Sequence, residues 1–400
     1  MPAQLIGGSS EPIATVRYLA DDSLDGRLAG SPGARCAGDY LASRFHELGL
    51  QPAGVEGTYF QDVPLASVTN PHAPAGTGRN VVARLGGADP ALEGEILIIG
   101  AHYDHLGMGG FGSMEEGVQA IHNGADDNAS GVAALLEVAK RLSEGPAPAR
   151  SIVFIAFTGE ESGLLGSNHW AKEPTVSTES ATAMLNMDMV GRLESNPLIV
   201  YGMGTAEEWE KIVGEANADL GLELAFESAG YGPSDHTSFY SRDIPVLHFF
   251  TNVHGDYHKP SDDWEKIDAE GLSQVADLVS RIATDVAGRP AQLALIRGAG
   301  APEQRAEGYG AWLGTVPDFT PVERGVLISG VGAESPAEKA GLQGGDIIVG
   351  LGEFEVNDLY GMTDALRELK PGDEVEVRVL RDDEELAFTV VLGNRADRGS

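Results

Sequence analysis

The chain has 400 residues, 42% hydrophobic and 22% charged, which is enough apolar material for a folded core, and its Gly 53 and Pro 21 fall short of a low-complexity composition. With 61 Asp and Glu against 27 Lys and Arg the net charge is −34, a balance that repels phosphate backbones and anionic lipid. One cysteine, Cys36, excludes an internal disulfide framework and a cysteine-rich zinc module.

No apolar run approaches the roughly 18 residues of a membrane-spanning helix, so neither membrane insertion nor nucleic-acid binding is expected. The acidity is no tail. Residues 301–400 hold 20 acids and 9 bases, leaving −23 of the −34 for residues 1–300. Met1 to Pro12 lacks a basic segment followed by an apolar stretch. The expectation is a secreted or periplasmic protein whose leader is absent from this chain, with a cytoplasmic location as the alternative.

From about residue 33 to 288 the pattern alternates helix and strand. Residues 34–48 form a helix with Tyr40, Leu41, Phe45 and Leu48 on one face. Strands follow over residues 80–85 and 95–101; the second, EILIIGA, is nearly all apolar, as a strand covered on both faces should be. A helix over 128–142 carries Val132, Leu135, Leu136 and Ala139 on one face, and strands are expected over 151–157, 183–187 and 244–250. This order describes an α/β sandwich, whose ligands sit beyond the carboxyl ends of the strands. Residues 289–308 lose the periodicity and read as a linker. Beyond them, short strands over 325–331, 346–351, 374–380 and 386–392, with helices near 336–340 and 359–369, make a second, small domain. The expected organisation is 1–288, a linker over 289–308, and 309–400.

Five segments concentrate polar residues at successive strand ends. They are AHYDH (101–105), GADDNASG (124–131), TGEESG (158–163), NMDMVG (186–191) and GDYHKPSDD (255–263). Imidazole and carboxylate without thiolate suit zinc, or manganese or cobalt. Two histidines and three acids carry too much charge for one open zinc site, and fit two divalent ions about 3.5–4 Å apart that share a carboxylate.

These motifs, with GYGPSDH (230–236) in the same order, resemble the co-catalytic zinc aminopeptidases of peptidase family M28, and the resemblance covers nearly all of residues 12–288. It implies a mixed central sheet between helices, of the zinc-exopeptidase, phosphorylase/hydrolase-like kind, and two metal ions, zinc first. By position, Asp127 is the implied bridging ligand. Glu161 and His258 complete one metal, and His102 and Asp188 the other. Glu160 matches the general acid/base, and Asp104 the carboxylate that orients a liganding imidazole. Tyr257 is the preferred donor to the oxyanion, ahead of Tyr231. His105 and His122 match no ligand and are expected as surface or loop histidines. Asp126 is expected to shape the turn, and Asp235 and His236 to serve packing. His248 reads as a core histidine and Cys36 as no nucleophile.

Residues 309–393 resemble a PDZ domain of the bacterial, protease-associated type, through YGAWLGT (309–315), SPAEKAGL (335–342) and GGDII (344–348). The resemblance implies capture of an extended peptide on a sheet edge, with Trp312, Leu313 and Gly314 holding its terminal carboxylate. The expected activity is removal of N-terminal residues from peptide or protein substrates, the PDZ domain recruiting or gating them through a C-terminal peptide ligand. A carboxypeptidase or amidase on the same metals is one alternative, with Arg192 and Arg242 as the cations it needs for a C-terminal carboxylate. A peptide-binding PDZ scaffold is the other. Side-chain preference and oligomeric state do not follow from these residues.

Overall fold

The structure is a computed structural model that describes residues 12–65, 76–92, 94–110, 112–115, 118–178, 180–195, 197–299, 311–317, 322, 324–331, 335–357, 359–381 and 384–394. The described residues divide into two compact units, the first holding 12–65 and 76–299 and the second 311–394. Residues 300–308 of the expected linker, with Tyr309 and Gly310, lie outside the described residues. Residues 289–299 belong to the first unit, where Leu295 bridges to Ala206 and Arg297 pairs with Asp243 at 2.6 Å.

The first unit opens with helices α1 (Pro12–Leu19) and α2 (Pro32–Glu47). Ser31 accepts the Ala34 N–H at 3.1 Å and Pro32 takes the first helical position, so the start of α2 is written locally. Strands β1 (Gln51–Pro52), β2 (Phe60–Pro64), β3 (Thr77–Leu85) and β4 (Ile96–His102) follow. Next come α3 (Gly131–Glu144), β5 (Ser151–Phe157), α4 (Leu165–Lys172), β6 (Ala181–Met187) and β7 (Leu198–Tyr201). The unit closes with α5 (Trp209–Asn217), β8 (Leu224–Phe226), α6 (His236–Tyr240), β9 (Val246–Phe250) and α7 (Ala269–Gly288).

One mixed sheet runs β1-β3-β5-β4-β6-β9-β7-β8, with β2 also on β3. Its centre, β5-β4-β6-β9, is parallel throughout. Alternation along the central strands builds two cores. Leu97, Ile99 and Ala101 of β4 pack with the apolar faces of α1, α2, α3, α5 and α7, among them Leu41, Phe45, Leu135 and Val279. Ile96 and Ile98 face the other way, onto Trp170 of α4 and Phe239 of α6. The central strands are covered on both faces, which is why their sequences are almost continuously apolar.

The register brings the carboxyl ends level. His102 pairs with Phe157, Gly100 with Asn186, and Met187 with Phe249. Polar residues just beyond these positions therefore emerge at one edge of the sheet.

The second unit contains β10 (Ala311–Trp312), β11 (Thr315–Pro317), β12 (Val326–Val331), α8 (Pro336–Ala340) and β13 (Ile347–Leu351). It continues with β14 (Phe354–Glu355), α9 (Leu359–Glu368), β15 (Glu374–Arg381), β16 (Glu384–Val391) and β17 (Gly393–Asn394). Five strands run β11-β12-β13-β15-β16, with β14 on β13, and β10 pairs separately with β17. All these pairs are antiparallel. Its core is its own, built on Ile328, Ile348, Leu351, Val377 and Val379. Buried Asp346 receives Arg381 through two contacts of 2.6 and 2.7 Å. Ser335 caps α8 and Gly341 ends it at φ +95°.

Candidate metal centre

Five segments deliver side chains to the sheet edge. His102 is the last residue of β4, Glu160 and Glu161 follow β5, Asp188 follows β6, and His258 lies in the loop after β9. Asp127 comes from the turn before α3. The helix expected over 128–142 begins instead at Gly131, because Asp127 and Asn128 leave helical geometry at φ −103° and −132°. Their shared peptide bond is cis. Asn128 explains the delayed start: its Oδ1 accepts the Gly131 N–H at 2.9 Å and the Met189 N–H at 3.1 Å. The same side chain donates to the Met187 carbonyl at 3.0 Å, so one amide ties this turn to the end of β6. Gly131 leaves no room for more, since a Cβ there would lie 2.3 Å from Asn128 Oδ1 and 2.4 Å from the Met187 oxygen.

Two triplets of donor atoms result, and they share Asp127. His102 Nε2 lies 3.4 Å from Asp127 Oδ1 and 3.3 Å from Asp188 Oδ1. His258 Nε2 lies 3.1 Å from Asp127 Oδ2 and 3.3 Å from Glu161 Oε2. Ligand atoms bonded at about 2.0–2.2 Å to one roughly tetrahedral ion stand about 3.1–3.6 Å apart. The donor sets therefore fit a pair of divalent ions, with one oxygen of Asp127 turned to each triplet.

Charge supports the same fit. Burial disfavours imidazolium at His102, yet Asp188, Glu160 and Asp127 outweigh it and hold the pKa well above the ordinary value. Burial likewise opposes charge on His258, but Glu161 and Asp127 push its pKa up to about 11. Burial would neutralise Asp127 as well, and the imidazoles hold its pKa well below the usual range. A buried group of acids this dense draws in positive charge, as protons on imidazole or as metal cations.

The two adjacent glutamates are separated electrically. Burial raises the pKa of Glu160 well above that of an ordinary carboxyl; His102 opposes this, and Glu161 and Asp188 add to it. Glu161 is also buried and faces Asp127, but His258 and His105 carry it down to about 2. One glutamate is suited to carry a proton and its neighbour to remain a carboxylate.

Several supports surround the donors. Asp262 Oδ2 accepts the N–H groups of Asp126 and Asp127 at 2.9 and 3.1 Å. Asp126 is buried and accepts from Gly191 at 2.7 Å, so it anchors the turn, as expected. The Asp104 carboxylate stands 3.8 Å from His102 Nδ1, beyond hydrogen-bond range, and the nearer contact is the Asp104 carbonyl at 3.2 Å. That carboxylate instead accepts the Glu160 N–H at 3.2 Å. Tyr257 stacks on the His258 ring, with centroids 3.9 Å apart. Burial and the carboxylates of Asp127, Glu161 and Glu160 hold its phenol far above the ordinary value, so it stays an O–H donor. Tyr231 is exposed and packs edge-on against Tyr240 at 4.8 Å.

The expectation of surface or loop histidines at His105 and His122 holds only in part, because both lie in loops but are buried. Nδ1 of His105 lies 2.6 Å from Glu161 Oε1, and His122 is held between Ser113 Oγ and the Ala120 carbonyl. Spacing from His102 gave no hint of this, since β4 has already ended and the chain is turning. Ser234 also escaped notice; it donates to Asp188 Oδ2 at 2.7 Å and leaves Oδ1 facing His102. Arg27 is another such residue. It is wholly buried and donates to the carbonyls of Leu19, Tyr103, Asn123 and Gly124. A lone arginine in DGRLAG announces none of these bonds. Asp235, His236 and His248 are buried, with the two histidine rings stacked at 4.4 Å, and Cys36 is exposed on α2. Arg192 contacts Asp262 at 3.1 Å and Asp256 at 3.5 Å, while Arg242 lies at the surface. In the second unit Leu313 is buried, its carbonyl accepts the Ala337 N–H at 2.9 Å, and Gly314 has φ +86°.

Comparison with known proteins bears on both units. Residues 80–283 match the profile of Peptidase family M28, and residues 317–392 match a PDZ domain. Aminopeptidase YwaD of Bacillus subtilis (strain 168) is 31% identical over 196 residues, 46% of this chain and 40% of the relative. Leupeptin-inactivating enzyme 1 of Streptomyces exfoliatus is 28% identical over 249 residues, 62% of this chain and 49% of the relative. The chain thus spans less than half the length of these two. The solved structure of BSAP, a zinc aminopeptidase from Bacillus subtilis, superposes with a TM-score of 0.55 at 20% identity, covering 73% of this chain and 99% of the other. At that identity the likeness shows a shared fold.

Proposed function

The chain belongs to peptidase family M28, and from that membership we propose that it is a two-metal aminopeptidase acting on peptides, with a PDZ domain that recruits or gates them. The observation that carries the proposal is the division of Asp127 between two donor triplets, at 3.4 Å from His102 and 3.1 Å from His258. Asp127 would bridge; Glu161 and His258 would complete one site, and His102 and Asp188 the other. Zinc suits these nitrogen and oxygen donors and is named in the BSAP structure. When bound, such ions acidify water and polarise a carbonyl.

The chain's own residues supply the proton handling. Glu160 Oε2 lies 3.9 Å from His102 Nε2, beside the donors. Its raised pKa suits it to take a proton from the attacking water and return it to the leaving amine. The Glu160 main chain is held by Asp104, which limits where its carboxylate can swing. Tyr257, kept protonated, would donate to the oxyanion that develops on the substrate. The bond from the Ala337 N–H of α8 to the Leu313 carbonyl fixes the middle of the 312–314 segment just before strand β11, which supports Trp312, Leu313 and Gly314 as a carboxylate loop.

A carboxypeptidase needs a free cation for the substrate's terminal carboxylate. Arg192 is engaged by two aspartates, which favours recognition of a free amine. The deciding experiment is hydrolysis of matched free-amine, N-acetylated and C-amidated peptides by zinc-loaded and metal-stripped protein. The proposal expects cleavage of the free-amine and C-amidated peptides, only with metal. Cleavage of the N-acetylated peptide that depends on a free carboxylate would overturn it.

A further inference from the structure

We infer that His105 is a positioning residue that fixes Glu161 as a one-oxygen metal ligand; the inference rests on the two-metal reading of the site. His105 follows β4 by three residues and is wholly buried, its main chain held by the Arg27 carbonyl at 3.2 Å. Its Nδ1 lies 2.6 Å from Glu161 Oε1.

That distance decides the role. His105, Asp127 and Glu161 are close enough together to form a metal site of their own. Two atoms on one roughly tetrahedral ion at bonds of about 2.0–2.2 Å, however, cannot come closer than about 3.1 Å without gross distortion. A separation of 2.6 Å is a short, charge-assisted hydrogen bond, with Nδ1–H donating to a carboxylate. The other oxygen, Oε2, stands 3.3 Å from His258 Nε2, at the spacing of co-ligands. Glu161 therefore divides its oxygens, one for the imidazole of His105 and one for the metal-facing side.

The His105 ring has little freedom to abandon this task. Gly124 presses on its edge, since a Cβ there would lie 2.5 Å from both Cγ and Cδ2. His258 meets it edge-on at 5.8 Å. Loss of the N–H would free Glu161 to rotate or to chelate through both oxygens, changing the site shared with His258 and Asp127. Outer residues that orient ligands typically contribute about 10–100-fold to metal affinity.

The test compares the full chain with His105→Leu, which fills space without donating, and His105→Asn, whose side-chain N–H can take the place of Nδ1–H. Zinc content after dialysis and zinc affinity by competition with a chromogenic chelator are read beside aminopeptidase kinetics. For wild type, two zinc ions per chain are expected. For His105→Leu, one of the two should weaken by about 10–100-fold, with kcat recovering in excess zinc. His105→Asn should retain most of the affinity. Equal zinc affinity in wild type and His105→Leu would overturn the inference and leave the two-metal reading standing. So would equal losses in the Leu and Asn variants, which would mean packing alone. A wild-type chain that binds no zinc would remove the two-metal reading itself, and the inference with it.

Discussion

Glu160 and Glu161 are chemically identical neighbours given opposite properties by what surrounds them. Glu160 faces other carboxylates in a buried place and holds protons readily; Glu161 faces His258 and His105 and gives its proton up. Replacing Glu160 by Gln should lower kcat by about 10²–10⁴-fold while leaving zinc content at the wild-type level, measured by metal analysis of the dialysed protein. Glu161 yields a pH prediction for the metal-free protein. Its folded pKa of about 2 lies below the ordinary 4.5, so its ion pairs stabilise the fold above 4.5 and that contribution is lost as pH falls toward 2. Thermal melts of stripped protein between pH 5 and pH 3 should therefore fall more steeply for wild type than for Glu161→Gln. Parallel slopes would sink this assignment. That His102, Asp127, Glu160, Glu161, Asp188 and His258 gather at one edge of the sheet was legible because each stands in a short polar motif beside a strand end or helix start. His105, Ser234 and Arg27 were not, because their work depends on chain-distant partners: Glu161, Asp188 and the carbonyls of residues 123 and 124.

The turn before α3 shows how an element serves the site. Gly131 sits where α3 passes closest to the end of β6, and Asn128 fills the space between. Gly131→Ala should cost about 1–3 kcal/mol through overpacking and weaken metal binding by displacing Asp127. Chemical denaturation and zinc titration check the two effects separately. The central strands and α2 were legible to within a few residues, since their apolar runs and helical spacing are local signals. The start of α3 was not. Residues 128–130 carry a helical pattern, but Asn128 spends its side chain on the backbone of Met187 and Met189, which lies far along the chain. Strands β1, β7 and β8 and the bridge β10 to β17 are two to four residues long, too short for any periodicity to declare.

At the scale of the molecule, the two units keep separate cores, Leu41, Phe45 and Leu135 in one, and Ile328, Ile348 and Val377 in the other. A chain ended after Gly300 should cleave an aminoacyl-nitroanilide with kcat/KM within about threefold of the full protein. Long peptides should lose more, through KM, if the PDZ domain recruits them; equal loss on both substrates would argue that the second unit supports the fold of the first. The donors of the metal centre have a further consequence for how the protein is made. They lie at residues 102, 127, 161, 188 and 258, so no short stretch of nascent chain holds a complete triplet with both its histidine and Asp127 until Asp188 has emerged. The second triplet waits for His258 and for β9 to join the sheet beside β6. On the two-metal proposal, metal uptake should therefore come late in biosynthesis, after the parallel strands have closed, and stoichiometric zinc would mark a chain that has finished folding.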